Sequence, residues 1–190
     1  RWEGRIIIGH KKNGSPIDFF SWHSYDTIEA NAKYCDYAKM RLTDAGYANI
    51  PIMCNEWNSL VNERGSYRHA AATAGMMLMF QDAPLEAAMF YDARFGTSIY
   101  GSLFNPLTAK PFPSYYAFTA FNEIYKLGEQ VKTEFNESGV YAVSAKWEAD
   151  GCIVIANTTQ DEIPFNINSD AKITDCYVTA NGEKYQVWDG

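Results

Sequence analysis

What most constrains the fold of this chain is an alternation of strand-like and helix-like stretches that runs to about Leu127 and then stops. The first strand is predicted over Ile17–Tyr25 (IDFFSWHSY), entered from the turn-forming Asn13-Gly14-Ser15-Pro16. A helix follows from about Ile28 to Asp44, with Asp26 as N-cap, Glu29 three residues on as in a capping box, and Gly46 as the stop. Ile28, Ala32, Cys35, Ala38 and Leu42 recur at helical spacing and define its packed face. Ile50–Trp57 (IPIMCNEW) is the second strand, followed by a helix from about Tyr67 to Gln81 that is nearly apolar over Ala70–Phe80 and therefore buried. Ala87–Asp92 is the third strand. A long irregular stretch, Arg94 to Pro113, then leads into a helix from about Ser114 to Leu127; its Tyr100, Phe104 and Pro106 favour an ordered loop.

Strand–helix units of this length signal parallel βαβ connections. No glycine-rich phosphate loop follows any strand, which counts against a doubly wound nucleotide-binding sheet and favours a (β/α)₈ barrel. A complete barrel takes about 250 residues and eight strands. This chain has 190 residues and three such strands, so a barrel fragment, or a barrel completed by another chain, is expected.

From about Gln130 the pattern changes. Val131–Phe135, Val140–Trp147, Gly151–Asn157, Ile163–Ile167 and Ile173–Thr179 alternate or run apolar between turn formers such as Asp150-Gly151 and Asn181-Gly182. These predict a small antiparallel β-sandwich. The expected class is α/β plus β, with residues 1–127 as partial barrel, 128–190 as β-domain, and the boundary near Leu127-Gly128.

A formal charge of -7 and a pI near 4.9 argue against a nucleic-acid partner, which calls for clustered Lys and Arg. No apolar run approaches the ~20 residues of a membrane span. Arg1–Arg5 followed by Ile6-Ile7-Ile8 does not read as a signal peptide. Cys35, Cys54, Cys152 and Cys176 show no CxxC spacing and read as small buried hydrophobes, with a Cys152–Cys176 bridge as the alternative.

Side chains along a strand alternate faces, so Ser21, His23 and Tyr25 share one and Phe20 and Trp22 the other. In a barrel, Phe20 and Trp22 pack outward on helices, while His23 and Tyr25 approach the rim where active sites gather. Glu56 ends the next strand, so two neighbouring parallel strands bring His23, Tyr25 and Glu56 to one rim. The chemistry they suit is displacement at an anomeric carbon: a carboxylate attacks, and a phenol beside it fixes its orientation. His23 would contact sugar hydroxyls, and Trp57, Tyr91, Tyr100 and Phe104 would offer apolar faces to a pyranose ring. Each has a plainer reading as a solvated loop carboxylate, a structural histidine or the edge of a core. His10, His23 and His69 form no metal-like cluster, and no metal or cofactor is expected.

The stretch Asp18–Tyr25 (DFFSWHSY) followed by Ile50–Ser59 (IPIMCNEWNS) resembles strands six and seven of clan A glycoside hydrolases, with family 39, which includes β-xylosidases and α-L-iduronidases, the nearest pattern. The segment Phe104–Leu127, with Lys110-Pro111 and Tyr115-Tyr116-Ala117-Phe118, resembles the last barrel helix of such enzymes, which also carry a β-sandwich after the barrel. The resemblance implies a retaining O-glycosyl hydrolase with Glu56 as nucleophile, Tyr25 as its hydrogen-bond partner, His23 at the substrate, and an oligo- or polysaccharide as partner. Substrate contacts would then include Trp57, Tyr91, Asp92, Tyr100 and Phe104.

Two departures stand out. Phe90-Tyr91-Asp92 occupies the place of a strand-eight tryptophan, and the strand-four Asn-Glu pair that supplies the acid/base is missing. Asn55-Glu56 is not that pair, because a His-x-Tyr strand precedes it and a last strand and β-domain follow. The remaining candidate second carboxyls, Asp26, Glu63 and Asp92, do not lie where an acid/base is expected, so this stretch alone is predicted to be inactive. An incomplete barrel leaves an edge and an apolar face that favour self-association. By analogy, polysaccharide breakdown suits a secreted or periplasmic bacterial enzyme. The alternative from another class is a non-catalytic carbohydrate-binding or structural module; a further rival pairs Cys54 or Ser24 with His23 as nucleophile and base, without the elbow such sites use.

Overall fold

A computed structural model describes residues 12–94, 98–169, 172–180 and 182–187. The N-terminal stretch read against a signal peptide, His10, and Asn181 of the predicted Asn-Gly turn lie outside the described residues. The chain divides into two compact units, Arg1–Ser59 with Met79–Tyr91, and Leu60–Leu78 with Asp92–Gly190.

The first unit holds a parallel sheet of order β1-β2-β3, formed by β1 (Phe20–Ser24), β2 (Ile52–Trp57) and β3 (Ala87–Phe90). Helix α1 (Ile28–Asp44) links β1 to β2 in the predicted βαβ manner. Its buried face is Ile28, Asn31, Cys35, Ala38 and Leu42, so Asn31 takes the place predicted for Ala32. Burying the Asn31 amide is offset in part by its Nδ2, which donates to the carbonyls of Thr27 (2.9 Å) and Asp26 (3.3 Å), while its Oδ1 is buried without a partner among the described residues. The cap also differs from expectation. Thr27, not Asp26, is the N-cap, its Oγ1 accepting from Ala30 N at 3.2 Å, while Asp26 Oδ1 accepts from Thr27 N at 2.8 Å. At the other end Gly46 takes φ +86°, as the stop signal required. Ala38, Leu42 and Ile52 form one core cluster of this unit, with Phe20, Trp22, Ala45, Tyr47 and Leu85 packed around them. Phe20 and Trp22 thus face the helix, as the strand alternation predicted.

Cys35 and Cys54 are buried free thiols, pushed up to about 12 and about 11 respectively, chiefly by burial. A Cys54 thiolate is therefore scarce at neutral pH, which removes the thiol-nucleophile reading. Ser24 is buried as well.

Helix α2 (Tyr67–Asp82) contains the point at which the two units divide. In the second unit, helix α3 (Pro113–Leu127) starts with proline in its first turn and ends at Gly128, φ +80°, where the chain turns into β4 (Glu129–Val131). β4, β5 (Val140–Trp147) and β6 (Asp150–Asn157) form an antiparallel sheet, and β5 and β6 pair along their whole length. Val143, Ala145 and Ala156 from one face of this sheet pack with Ile124 of α3 and Leu78 of α2. β7 (Tyr177–Val178) and β8 (Gln186–Val187) make a separate two-stranded ladder.

The predicted strand Ile163–Ile167 forms no ladder; Phe165 and Ile167 are exposed, and Pro164 has no amide hydrogen to give one. The ladders among the described residues do not by themselves make a sandwich, and they close no barrel. Cys152 and Cys176 are free, so the alternative bridge is not formed.

His69 on α2 is fully buried, and burial lowers its pKa to about 4 from the ordinary 6.5. Between those values the unfolded chain binds a proton that the folded chain refuses. This contribution to stability is complete above pH 6.5 and is lost as the pH falls toward 4, on the order of 3 kcal/mol in all. Urea unfolding between pH 7.5 and 4 should show that slope, and His69→Gln should flatten the part between pH 6.5 and 5.

Candidate active site

The site begins with a break in the register of β2. Phe20 lies opposite Ile52, Ser21 opposite Met53 and Trp22 opposite Cys54, but His23 lies opposite Glu56 and Ser24 opposite Trp57. On its other side, Cys54 opposite Ala88 is followed by Trp57 opposite Phe90. β2 therefore carries one more residue than either neighbour, and against β1 the extra residue is the exposed Asn55. A one-residue bulge reverses the facing of every side chain that follows it. Ile52 and Cys54 are buried, and strict alternation would send Glu56 to the same side. The bulge sends it to the face of His23 instead and turns Trp57 inward.

Two side chains from the β1 segment then meet the Glu56 carboxylate. The Tyr25 hydroxyl donates a hydrogen bond to Oε1, and His23 Nδ1 lies 3.5 Å from Oε2. The His23 side chain is 57% exposed and that of Glu56 23%, so the carboxylate is anchored through one oxygen and still reachable from solvent. An oriented, accessible carboxylate of this kind suits nucleophilic attack or charge stabilisation. Neighbouring Asp26 is committed elsewhere: Tyr34 Oη (2.7 Å) and Thr27 N (2.8 Å) both donate to it and hold its carboxyl below the usual range, the opposite of what a general acid needs.

Of the predicted ring contacts, Trp57 must be corrected. It is 2% exposed and sits edge-on to Phe80 and Phe90, with centroids at 5.6 and 5.0 Å, so it fills the core and offers no open face to a sugar. Tyr91, half-buried just past β3, donates its backbone N–H to Trp57 O at 2.8 Å.

Asp92, Tyr100 and Phe104 belong to the second unit. Asp92 is 5% exposed and clamped by Arg94, whose Nη2 and Nε lie 2.6 and 2.8 Å from Oδ2, so it orders its loop rather than standing open to substrate. Gly101 fits there because a Cβ would come within 3.1 Å of the Arg94 carbonyl. Tyr100 O accepts from Asp92 N at 3.3 Å, and the half-buried Phe104 ring lies 5.4 Å from Tyr115. Glu63, another candidate carboxyl, pairs with Arg68 at 2.9 Å.

Sequence reasoning missed Asn55 as the bulge and Asn58 as a buried polar residue beyond it. The available signal was the apolar spacing Ile52, Cys54, Trp57, which steps by two and then by three.

No protein-family model matches the sequence, and no curated protein matches it significantly. Solved structures do match. A glucosidase from Croceicoccus marinus superposes with a TM-score of 0.66 at 16% identity, covering 81% of this chain and 36% of that one. A monomeric β-xylosidase from Caulobacter crescentus CB15 gives 0.56 at 18% identity, covering 76% and 36%. A glycoside hydrolase family 30 subfamily 8 xylanase from Clostridium acetobutylicum gives 0.55 at 14% identity, covering 100% and 64%. The chain thus shares its fold with part of glycoside hydrolases of the family 39 and family 30 kind, as the clan A resemblance implied. It spans little more than a third of the first two structures.

Deleting Asn55 should restore plain alternation and leave Glu56 on the face of His23, because His23 opposite Glu56 would then directly follow Trp22 opposite Cys54. The Tyr25–Glu56 hydrogen bond should therefore survive in a crystal structure of the deletion variant. A Glu56 side chain turned to the buried face in that variant would show that Asn55 is not the residue that sets its facing.

Proposed function

We propose that this chain is the nucleophile-bearing C-terminal portion of a retaining glycoside hydrolase of β-xylosidase type, with β1, β2 and β3 as strands six to eight of a (β/α)₈ barrel and residues 128–190 as an appended β-domain. The observation that carries the reading is the Tyr25 hydroxyl donated to a partly exposed Glu56 carboxylate at adjacent parallel strand ends. The fold shared with glycosidases supports it.

In this reading Glu56 Oε2, the oxygen not held by Tyr25, attacks the anomeric carbon. The glycosidic C–O bond breaks, and the leaving oxygen takes a proton from a second carboxyl ~5–5.5 Å from the first. The glycosyl ester on Glu56 is then hydrolysed by water deprotonated by that second group, so configuration is retained and both carboxyls are restored. Tyr25 keeps the carboxylate from rotating away, and His23, beside the attacking oxygen, meets a sugar hydroxyl. Tyr91 stands where a ring-stacking tryptophan is usual and would shape the choice of sugar. The acid/base comes from outside these 190 residues, because Asp26, Glu63 and Asp92 are each held by other partners.

In the enzyme that brings both carboxyls together, Glu56→Gly should lower kcat on an aryl xyloside by on the order of 10⁴-fold or more. Azide should restore turnover and give the α-xylosyl azide. Unimpaired hydrolysis by Glu56→Gly would end the proposal. Tyr25→Phe removes one hydrogen bond to a charged group and should lower kcat/KM by about 10- to 100-fold in steady-state assays, from ~1.5–3 kcal/mol.

A further inference from the structure

Asn58 lies two residues beyond Glu56, is wholly buried, and bonds to both flanking strands. Its backbone N–H donates to Ser24 O at 3.3 Å, the peptide unit directly before Tyr25. Its side-chain Nδ2 donates to Tyr91 O at 2.7 Å, at the end of β3. Its Oδ1 accepts from Ser59 N at 2.7 Å, which turns the chain out of the sheet. One residue therefore joins the C-terminal ends of β1, β2 and β3 on the far side of the bulge.

That position matters because a bulge interrupts the ladder that would otherwise fix the strand end. Between Cys54 and Trp57 the register of β2 slips against both neighbours, so Glu56 sits where the sheet itself gives least constraint. Tyr25 lies just past β1 and depends on the same strand ends.

We infer that Asn58 is a positioning residue that holds Tyr25 and Glu56 within bonding distance by tying the ends of β1 and β3 to bulged β2. The inference gives the proposed nucleophile its support, but the geometric claim can be tested without any activity. Aspartate is nearly isosteric at this position and keeps the acceptor for Ser59 and the main-chain bond to Ser24 O, but it gives up the donor to Tyr91 O and sets a buried carboxylate oxygen against that carbonyl. Serine is too short to reach both partners.

The test is the crystal structure of the 190-residue chain as Asn58→Asp, with Asn58→Ser as the second variant should the first not fold, alongside thermal melting. The expected result is a folded protein in which the Tyr25–Glu56 hydrogen bond is broken. A variant that melts lower but keeps that bond would make Asn58 merely structural and overturn the inference, as would an unchanged structure. In the complete enzyme, the same variant should lower kcat about tenfold or more with KM nearly unchanged. Loss of the contact without glycosidase activity in the parent enzyme would uphold the positioning role while refuting the proposed function.

Discussion

The face on which Glu56 meets Tyr25 and His23 depends on a single extra residue in a parallel strand. β2 must bury Ile52, Cys54 and Trp57 against apolar neighbours, yet present Glu56 on the face shared by His23. Strict alternation cannot do both, because Cys54 and Glu56 are separated by an even step. Placing Asn55 out of the ladder resolves the conflict and leaves the carboxylate where a phenol and an imidazole from the β1 segment can reach it. The bulge also removes local backbone constraint, and Asn58 restores it from beyond.

Much of this was legible in the residues. The strand–helix order and the span of α1 follow from hydrophobic period and stop signals, which are local, and the place of His23, Tyr25 and Glu56 at neighbouring strand ends follows from that order. The packing of Phe20 and Trp22 toward α1 follows from the same period. What escaped was set by partners distant in sequence. The bulge exists only relative to β1 and β3, so nothing inside IMCNEW announces it except an uneven apolar spacing. Trp57 read as a sugar platform because tryptophan beside a carboxylate suits one, whereas Phe80 and Phe90 enclose it. Asp92 read as a substrate contact, but Arg94, two residues on, neutralises it. Thr27 rather than Asp26 caps α1, and Asp26 is engaged by Tyr34, about two turns along the helix.

The second unit follows a different logic. β5 and β6 satisfy each other's backbone groups over eight residues each, and one face of their sheet packs on α3. The apolar alternation of Ile163–Ile167 predicted a further strand, but alternation records only a capacity to be half-buried. Without a facing surface, Phe165 and Ile167 remain exposed and the segment stays irregular.

If Glu56 is the proposed nucleophile, it forms a covalent bond to the sugar, which intact-mass and peptide analysis of the complete enzyme can detect after exposure to an activated 2-deoxy-2-fluoro xyloside. The expected product is a stable adduct of one fluorosugar on the peptide carrying Asn55-Glu56-Trp57, lost in Glu56→Gln. An adduct on another carboxylate, or none from an enzyme that turns over the matching aryl xyloside, would contradict it.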